Sequence, residues 1–353
     1  MLTPKQIKEI REHLDKAGNP IFFFDNDPDG LCSFLLLQRY CEKGKGVPIK
    51  SFPEMDASYF RKVDELNSDY IFILDKPIVS KSFFEEAEKR NIPVVWIDHH
   101  ETQSQKNYFV PEFINYYNPI LNKDKSNEPV TFLSYNIIPE ARRNEDLWIA
   151  VIGCISDKFV PDFYLNFNKK SPDLGIESND AFNIYYGSRI GKVARILSFA
   201  LKDRTTNVIN MIKFLVQVKD PYEVLEESSK NHSMHYRFKQ IDNKYQKLLR
   251  KAEEVEKSSN KLLFFQYGGD LSISADLSNE LSYRFPKKFV VVVYITGIKA
   301  NISARGKNIK EFILKSISGL ENASGGGHDD AVGAQIKVED LERFRNNLSE
   351  LLN

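Results

Sequence analysis

Three side chains that bind metals or transfer protons stand next to one another in this sequence: Asp98, His99 and His100. They directly follow residues 94–97, an apolar run of Val, Val, Trp and Ile that is typical of a buried central strand. Open α/β sheets bind their ligands outside the carboxyl ends of such strands. The triplet therefore indicates a functional site, although a polar transition from strand to loop explains the triplet alone equally well.

A second group of acids follows another apolar run, residues 21–24, which contains one Ile and three Phe. Asp25, Asp27 and Asp29 occupy alternate positions before Gly30, where a helix is predicted to start. Alternation lets the carboxylate oxygens converge, and we expect Gly30 to permit a sharp turn into the helix. Calcium loops also alternate Asp, but the EF-hand pattern of a later Gly and a twelfth-position Glu is missing here.

Two further acids follow apolar segments. Asp75 comes directly after the strand predicted over residues 70–74, and Asp157 ends a helix predicted over residues 145–155. Strands and helices alternate with short connections, which predicts a doubly wound parallel sheet with three acid-bearing strands at one edge. Asp157 alone would be interpreted as a surface residue or a helix cap.

The chain is predicted to have two domains. Residues 1–257 form the larger α/β domain, and the charged, Ser-containing residues 253–260 suit a linker. Residues 261–353 are predicted to form a second, smaller α/β domain across a cleft. Its most distinctive motif is Gly325, Gly326 and Gly327 before His328, which would bring bare backbone N–H groups close to an anion. A glycine run alone is a weak signal, since flexible loops also contain one.

Composition limits the class of protein. The 353 residues include 49 Lys and Arg and 49 Asp and Glu, so the formal net charge is zero and any polyanion must be held by a local site. Three cysteines without a CxxC pair indicate a reducing compartment and no structural zinc. The longest apolar runs are too short to cross a bilayer. We therefore expect a cytoplasmic protein with no membrane partner.

Other polar segments are predicted to have no role in chemistry. Arg189, Lys192 and Arg195 would share one helix face, which we interpret as solvated in preference to phosphate-binding. His232 and His235 are expected to face solvent. Residues 165–180 are predicted to form a loop that is either a lid or an insertion without a role, and we favour the insertion.

The order of these motifs resembles the DHH superfamily of phosphoesterases, in the branch with a DHH-associated C-terminal domain. That branch includes RecJ-like single-strand exonucleases, nano-RNases and cyclic-dinucleotide phosphodiesterases. The resemblance covers essentially the whole chain. Its motifs are the acidic turn over residues 25–30, then Asp75, the triplet at 98–100, Asp157 and the glycine run at 325–328.

The resemblance implies two Mn²⁺ ions, with Mg²⁺ as a poorer substitute. Asp27 matches a ligand of the first ion, Asp29 and Asp157 match ligands of the second, and Asp75 matches the bridging carboxylate. His99 matches the imidazole ligand. Many relatives place a histidine just before the first acid pair. Here Asp25 stands at a candidate position and would offer an oxygen ligand instead.

The remaining roles implied by the resemblance concern the substrate. His100 would face the substrate phosphate, and Asp98 would orient the neighbouring imidazole. In the second domain, Arg305 would grip a phosphate, and the glycine run with His328 would contact the same phosphate or a base. Without the glycine motif, Arg305 would be interpreted as a surface arginine.

Ligand chemistry points the same way. Several carboxylates with a single imidazole suit an octahedral ion such as Mn²⁺ better than zinc. Two ions roughly 3.5–4 Å apart can share a carboxylate and stabilise both oxygens of an in-line displacement at phosphorus.

The function predicted is that of a metal-dependent phosphodiesterase that releases nucleotides from single-stranded DNA or RNA ends, or from short oligonucleotides. The first alternative is a small-nucleotide hydrolase acting on a cyclic dinucleotide or a 3′-phosphoadenosine phosphate. An inactive replication scaffold ranks lower, because every acid that the mechanism needs is present. The sequence leaves open whether the protein forms a homodimer.

Overall fold

The computed structural model describes residues 1–50, 54–101, 110–257 and 261–352. Contacts between residues divide the chain into two compact units, Met1–Phe238 and Lys239–Asn353. The sequence placed the boundary between residues 257 and 261, after a long helix, whereas this division falls within that helix. Residues 258–260 of the expected linker lie outside the described residues. Among the described residues, no helix is long and apolar enough to cross a membrane.

The first unit is built on five strands: β1 (Pro20–Asp25), β2 (Lys45–Ile49), β3 (Tyr70–Leu74), β4 (Val94–Ile97) and β5 (Asn115–Tyr117). They pair in the order β2-β1-β3-β4-β5, and every pairing is parallel. This confirms the doubly wound parallel sheet predicted from the sequence.

Helices cover this sheet and extend the unit. They are α1 (Pro4–Lys16), α2 (Pro28–Cys41), α3 (Phe60–Glu65), α4 (Lys81–Lys89), α5 (Val130–Ile137), α6 (Leu147–Ser156), α7 (Tyr164–Lys170), α8 (Ala181–Gly187), α9 (Arg189–Ala200), α10 (Thr205–Gln217) and α11 (Pro221–Leu225). Phe22 and Phe24 of β1 lie in the core that includes α2, α5 and α6, whereas Ile21 and Phe23 lie in the core that includes α3 and α4. Because both faces are covered, β1 is apolar at every position before Asp25.

The first unit departs from the sequence prediction in the expected loop insertion. Residues 165–180 are not wholly a loop, because α7 occupies their start. At Gly30, where a sharp turn into the helix was expected, glycine is needed because a Cβ would lie 2.4 Å from the carbonyl oxygen of Asp25.

A long helix, α12 (His232–Glu256), crosses the boundary between the two units. The expectation that His235 faces solvent is wrong: its side chain is buried, and Nε2 lies 2.9 Å from the carbonyl oxygen of Val224. His232 is exposed, as expected, and Nδ1 lies 2.8 Å from Glu227. The stretch is largely polar, so its helical pattern in the sequence did not indicate which of the two histidines is buried.

The second unit has a five-stranded mixed sheet in which only the first pair of strands is parallel. In chain order its elements are β6 (Leu262–Gly268), α13 (Ser274–Arg284), β7 (Phe289–Thr296), β8 (Lys299–Arg305), α14 (Ile309–Ile317), β9 (Ser324–His328), β10 (Ala331–Lys337) and α15 (Leu341–Leu352). The strands pair in the order β6-β7-β8-β10-β9. The glycine run therefore forms a strand at the sheet edge, where sequence reasoning had compared it with a flexible loop.

Candidate metal centre and substrate-binding residues

Three adjacent strands of the first unit each present an acid at the same level. Phe24, Leu74 and Ile97 are paired across β1, β3 and β4. The residue after each of them is an aspartate: Asp25, Asp75 and Asp98. Parallel pairing in this register therefore brings together acids that are as far as 73 positions apart in the chain.

The turn between β1 and α2 adds two more acids. Asp27 caps α2, and its Oδ1 accepts a hydrogen bond of 2.9 Å from the backbone N–H of Gly30. Asp29 is buried, and its two carboxylate oxygens accept hydrogen bonds from the backbone N–H groups of Val130 (2.9 Å) and Thr131 (2.8 Å) at the start of α5. Burial, and then the charge of Asp157, raise the pKa of Asp29 to about 6.

Five of the acids, His99 and His100 form three overlapping groups, in each of which the ligand atoms lie within 4.8 Å of one another. The groups are Asp25 with Asp27 and Asp75, Asp75 with His99 and His100, and Asp29 with His99 and Asp157. Asp75 and His99 each belong to two groups. Asp157, which ends α6, is 44% exposed, so the cluster reaches the protein surface there.

His99 is oriented for a metal. Its Nδ1 lies 3.1 Å from the carbonyl oxygen of Asn127, while Nε2 lies 3.4 Å from Asp75 Oδ1 and 3.8 Å from Asp157 Oδ2. A proton on Nδ1, shared with the carbonyl, would leave the Nε2 lone pair facing the acids. Burial lowers the pKa of His99. The interaction with Asp75 and the charge of Asp157 outweigh burial and raise that pKa well above its usual value.

Asp75 is held under strain. Its backbone φ is +58°, a left-handed conformation that residues other than Gly, Asn and Asp seldom adopt. The residue is 2% exposed, and among the described residues Oδ1 has only a long contact with His99 Nε2, at 3.4 Å, in place of a hydrogen bond of normal geometry. Burial raises the pKa of Asp75 well above its usual range, and the charges of Asp29 and Asp27 add to this effect. A buried oxygen in this position suits a divalent cation.

The second unit brings its predicted residues to one face of its sheet. Arg305 is paired with Ala331, and Ala331 with His328, so the two side chains stand two strands apart in one row, roughly 10 Å. Arg305 Nε donates to Asn279 Oδ1 at 2.6 Å. This bond gives the guanidinium a defined direction.

Bare backbone lies beside this row. Gly326 is paired with Gly333, and a Cβ at Gly326 would meet no described atom within 4 Å. Gly327 has a φ of +138°, and a Cβ there would lie 2.4 Å from the carbonyl oxygen of Ala331. Gly327 is thus required by the strand itself, whereas Gly326 leaves open space on the sheet.

Comparison with family models decides the assignment. Residues 21–150 match the DHH family, N-terminal domain, and residues 259–353 match the DHHA1 domain. The chain belongs to the DHH superfamily of phosphoesterases. The resemblance predicted from the motifs is therefore confirmed. Among curated proteins, a sequence comparison finds no match.

Solved structures show the same fold at low identity. RecJ from Thermus thermophilus, crystallised with Mn²⁺, is 14% identical with a TM-score of 0.68; the match covers 99% of this chain but only 55% of that RecJ. Another exonuclease RecJ, bound to manganese, is 14% identical with a TM-score of 0.64. This match covers 99% of the present chain and 94% of that RecJ. The pGpG-specific phosphodiesterase PggH from Vibrio cholerae is 14% identical with a TM-score of 0.50, covering 94% of this chain and 97% of that one.

The DHH domain also holds a buried cation that sequence reasoning missed. The Lys76 side chain is fully buried beside the acid cluster, and Nζ donates to the carbonyl oxygen of Lys50 at 2.8 Å. Burial lowers the pKa of Lys76, while the charges of Asp25 and Asp75 act in the opposite direction. A lysine after a strand end is usually solvated, so its type and position carried no signal.

Proposed function

We propose that this DHH protein is a divalent-metal-dependent phosphodiesterase that releases nucleotides from single-stranded DNA or RNA ends or from short oligonucleotides. The observation that carries the proposal is the overlap of ligand groups at Asp75 and His99. Two neighbouring cation sites that share a carboxylate are the arrangement used for in-line displacement at phosphorus.

The donor set fits two hard cations. Asp25 and Asp27 would hold one ion, Asp29, His99 and Asp157 would hold the other, and Asp75 would contact both. Five carboxylates and one imidazole favour Mn²⁺, with Mg²⁺ as a weaker substitute. When bound, such ions supply positive charge to the attacking and leaving oxygens and lower the pKa of bound water.

His100 is proposed to contact the phosphate that is cleaved. Its pKa is lowered by burial, but the hydrogen bond and charge of Asp98 outweigh this and raise it. An imidazolium held by Asp98 can donate a hydrogen bond to a phosphate oxygen and neutralise part of its developing charge. Asp98 is thus proposed as a positioning residue.

The DHHA1 domain is proposed to hold a part of the substrate that does not react. Arg305 would bind a phosphate, and His328 would bind the same phosphate or a base. The open backbone at Gly326, together with Gly325 and the strained Gly327, would let the substrate approach the sheet closely.

A second candidate function is hydrolysis of a small nucleotide such as a linear or cyclic dinucleotide. It is favoured by the fold shared with the pGpG-specific phosphodiesterase, which this chain matches over nearly the full length of both. The formal net charge of zero also disfavours a long electrostatic track for nucleic acid.

One panel of assays tests both candidates. End-labelled single-stranded DNA and RNA of 2 to about 30 nucleotides and linear and cyclic dinucleotides are incubated with Mn²⁺, Mg²⁺ or excess chelator. We expect Mn²⁺-dependent hydrolysis whose kcat/KM levels off at short lengths and depends weakly on salt. Efficiency that keeps rising over tens of nucleotides would indicate a processive exonuclease. Hydrolysis that persists in excess chelator would contradict the proposal. A failure to hydrolyse any phosphodiester of the panel would also contradict it.

A further inference from the structure

An aromatic and basic patch lies on α8 and the segments beside it. We define the aromatic patch as Phe182, Tyr185, Tyr186, Lys158 and Arg195. The rings of Phe182 and Tyr186 are parallel to within 9°, with centroids 6.1 Å apart. The rings of Tyr185 and Tyr186 meet edge to face at 5.0 Å. Three aromatic rings are thus gathered within five residues of chain.

The patch adjoins the acid cluster through the chain itself. Lys158 follows Asp157, which shares a ligand group with Asp29 and His99. Lys158 has a left-handed backbone, with φ at +59°, and its Nζ lies 5.4 Å from the ring centroid of Phe182. The turn that ends α6 therefore carries an acid of the cluster and, one residue later, an ammonium over the patch.

Arg195 of α9 contacts two rings of the patch. Its guanidinium lies 5.7 Å from the ring centroid of Tyr185 and 5.9 Å from that of Tyr186. It also donates a hydrogen bond to the carbonyl oxygen of Tyr185. By contrast, Arg189 at the start of α9 pairs with Asp173 at 2.8 Å, so the predicted basic stripe does not act as one unit.

The rings of α8 lie beside the buried side of the helix and stay partly exposed. The buried side of α8 consists of Ala181 and Ile184. Phe182, Tyr185 and Tyr186 are only half-buried and keep part of their surface accessible. Tyr185 also packs against the hydrophobic core. Half-exposed rings flanked by cations are the composition that binds nucleobases next to phosphates.

We propose that the aromatic patch is a stacking site for a base of the bound nucleic acid, with Lys158 contacting a phosphate beside the acid cluster. This inference rests on the proposed function and adds a substrate subsite within the DHH domain. Every base has a stackable face, so the site should accept all four bases with little discrimination. Apolar contact with the ring supplies the affinity, while Lys158 sets the direction of the strand.

The test is a binding measurement on the full chain that needs no turnover. The probe is a dinucleotide that carries 2-aminopurine and a non-hydrolysable phosphonate linkage, and the readout is quenching of its fluorescence on stacking. We expect quenching with the unaltered protein, and a rise in Kd of about tenfold with loss of quenching in Phe182→Ala and Tyr186→Ala. Phe182→Leu, which keeps apolar volume, should fold normally and still lose the quenching.

Two controls separate stacking from other effects. Tyr236→Ala removes an aromatic side chain that is 57% exposed on α12 and should bind like the unaltered protein. An abasic version of the probe should bind the Phe182→Leu and unaltered proteins equally. Unchanged quenching in the Phe182 and Tyr186 variants would overturn the stacking site, as would an equal loss of affinity for the abasic probe.

The outcome is independent of the hydrolysis panel. A protein that quenches 2-aminopurine through Phe182 but cleaves no phosphodiester would keep the stacking site and refute the phosphodiesterase. A protein that cleaves the panel but shows quenching indifferent to Phe182 and Tyr186 would refute the stacking site alone.

Discussion

Asp98 holds His100 at two points. Asp98 Oδ1 lies 2.8 Å from the imidazole Nδ1, and Oδ2 accepts a hydrogen bond of 3.2 Å from the backbone N–H of His100. The Asp98 side chain is completely buried, so no water competes for either contact. The ring is therefore fixed in both tilt and proton position.

Asp98→Asn should reduce kcat by about 10- to 100-fold with a smaller change in KM, which is typical when a partner that orients an essential imidazole is lost. Because Asp98 raises the pKa of His100, the variant should also lose activity at a lower pH than the unaltered protein. The measurement is kcat against pH. Asp124→Asn, at an exposed site, is the control. A fall in kcat without any shift of the pH profile would point to a merely structural role.

Asp75→Asn should abolish metal-dependent hydrolysis and stabilise the metal-free protein by about 1–3 kcal/mol. The amide avoids the cost of burying a carboxylate, and Asn tolerates the left-handed backbone. Thermal unfolding in chelator and calorimetric titration with Mn²⁺ measure the two effects. Wild-type turnover in this variant would remove Asp75 from the metal site.

The metal-free protein should become more stable as the pH falls from about 7.5 to about 5. The pKa of Asp29 is raised to about 6 in the folded state, so its contribution to stability is present at low pH and is lost as the pH rises through 6. Between pH 7.5 and pH 5 the effect is on the order of 1.4 kcal/mol, and it would reach about 3 kcal/mol only near pH 4, the ordinary pKa of an aspartate. Saturating Mn²⁺ should reverse the trend, since metal binds the deprotonated acids.

Denaturant unfolding in chelator at several pH values measures this dependence. Asp29→Asn is the matched variant, and it should flatten the part of the curve near pH 6. Metal-free stability that rises towards pH 7.5 would contradict the prediction.

Arg305→Ala should raise KM about tenfold or more and leave kcat nearly unchanged, because the proposed phosphate contact is present in the ground state and the transition state alike. Steady-state kinetics on a short oligonucleotide measures it. Arg343→Ala removes an exposed arginine from α15 of the same domain and should have no effect. A loss confined to kcat would mean that Arg305 acts on the reacting phosphate.

Gly326→Ala and Gly327→Ala should differ sharply. A methyl group at Gly326 enters open space, so the unfolding temperature should not change. The KM should rise, because the methyl group would occupy space proposed for the substrate. At Gly327 the methyl group meets the carbonyl oxygen of Ala331 and the backbone is left-handed, so the protein should lose about 1–3 kcal/mol of stability. An unchanged KM in Gly326→Ala would contradict substrate binding at this face of the sheet.

The parts of the fold that the sequence predicted well are those in which burial leaves a local pattern. β1, β3 and β4 are covered on both faces, so each is a short continuous apolar run, and an acid after such a run must lie at the sheet edge. Asp25, Asp75 and Asp98 were placed together for that reason.

Other features depend on contacts between distant segments and leave no such pattern. Asp29 is anchored by backbone N–H groups about 100 positions later, which any residue type could supply. Lys76 looks like a solvated lysine, and the rings of α8 look like core residues. The edge strand β9 is mostly glycine, a composition that favours neither a strand nor a helix.

The left-handed backbone at Asp75 bears on selection as well as on mechanism. Glycine would relieve the strain, and asparagine would remove the buried charge, so either would improve stability at this position. The chain instead carries the acid, with a backbone cost and an electrostatic cost in the same residue. A protein kept only as a scaffold would gain by giving up both. Under the proposed function, this single position is therefore a stability–activity trade-off that is visible without any second sequence.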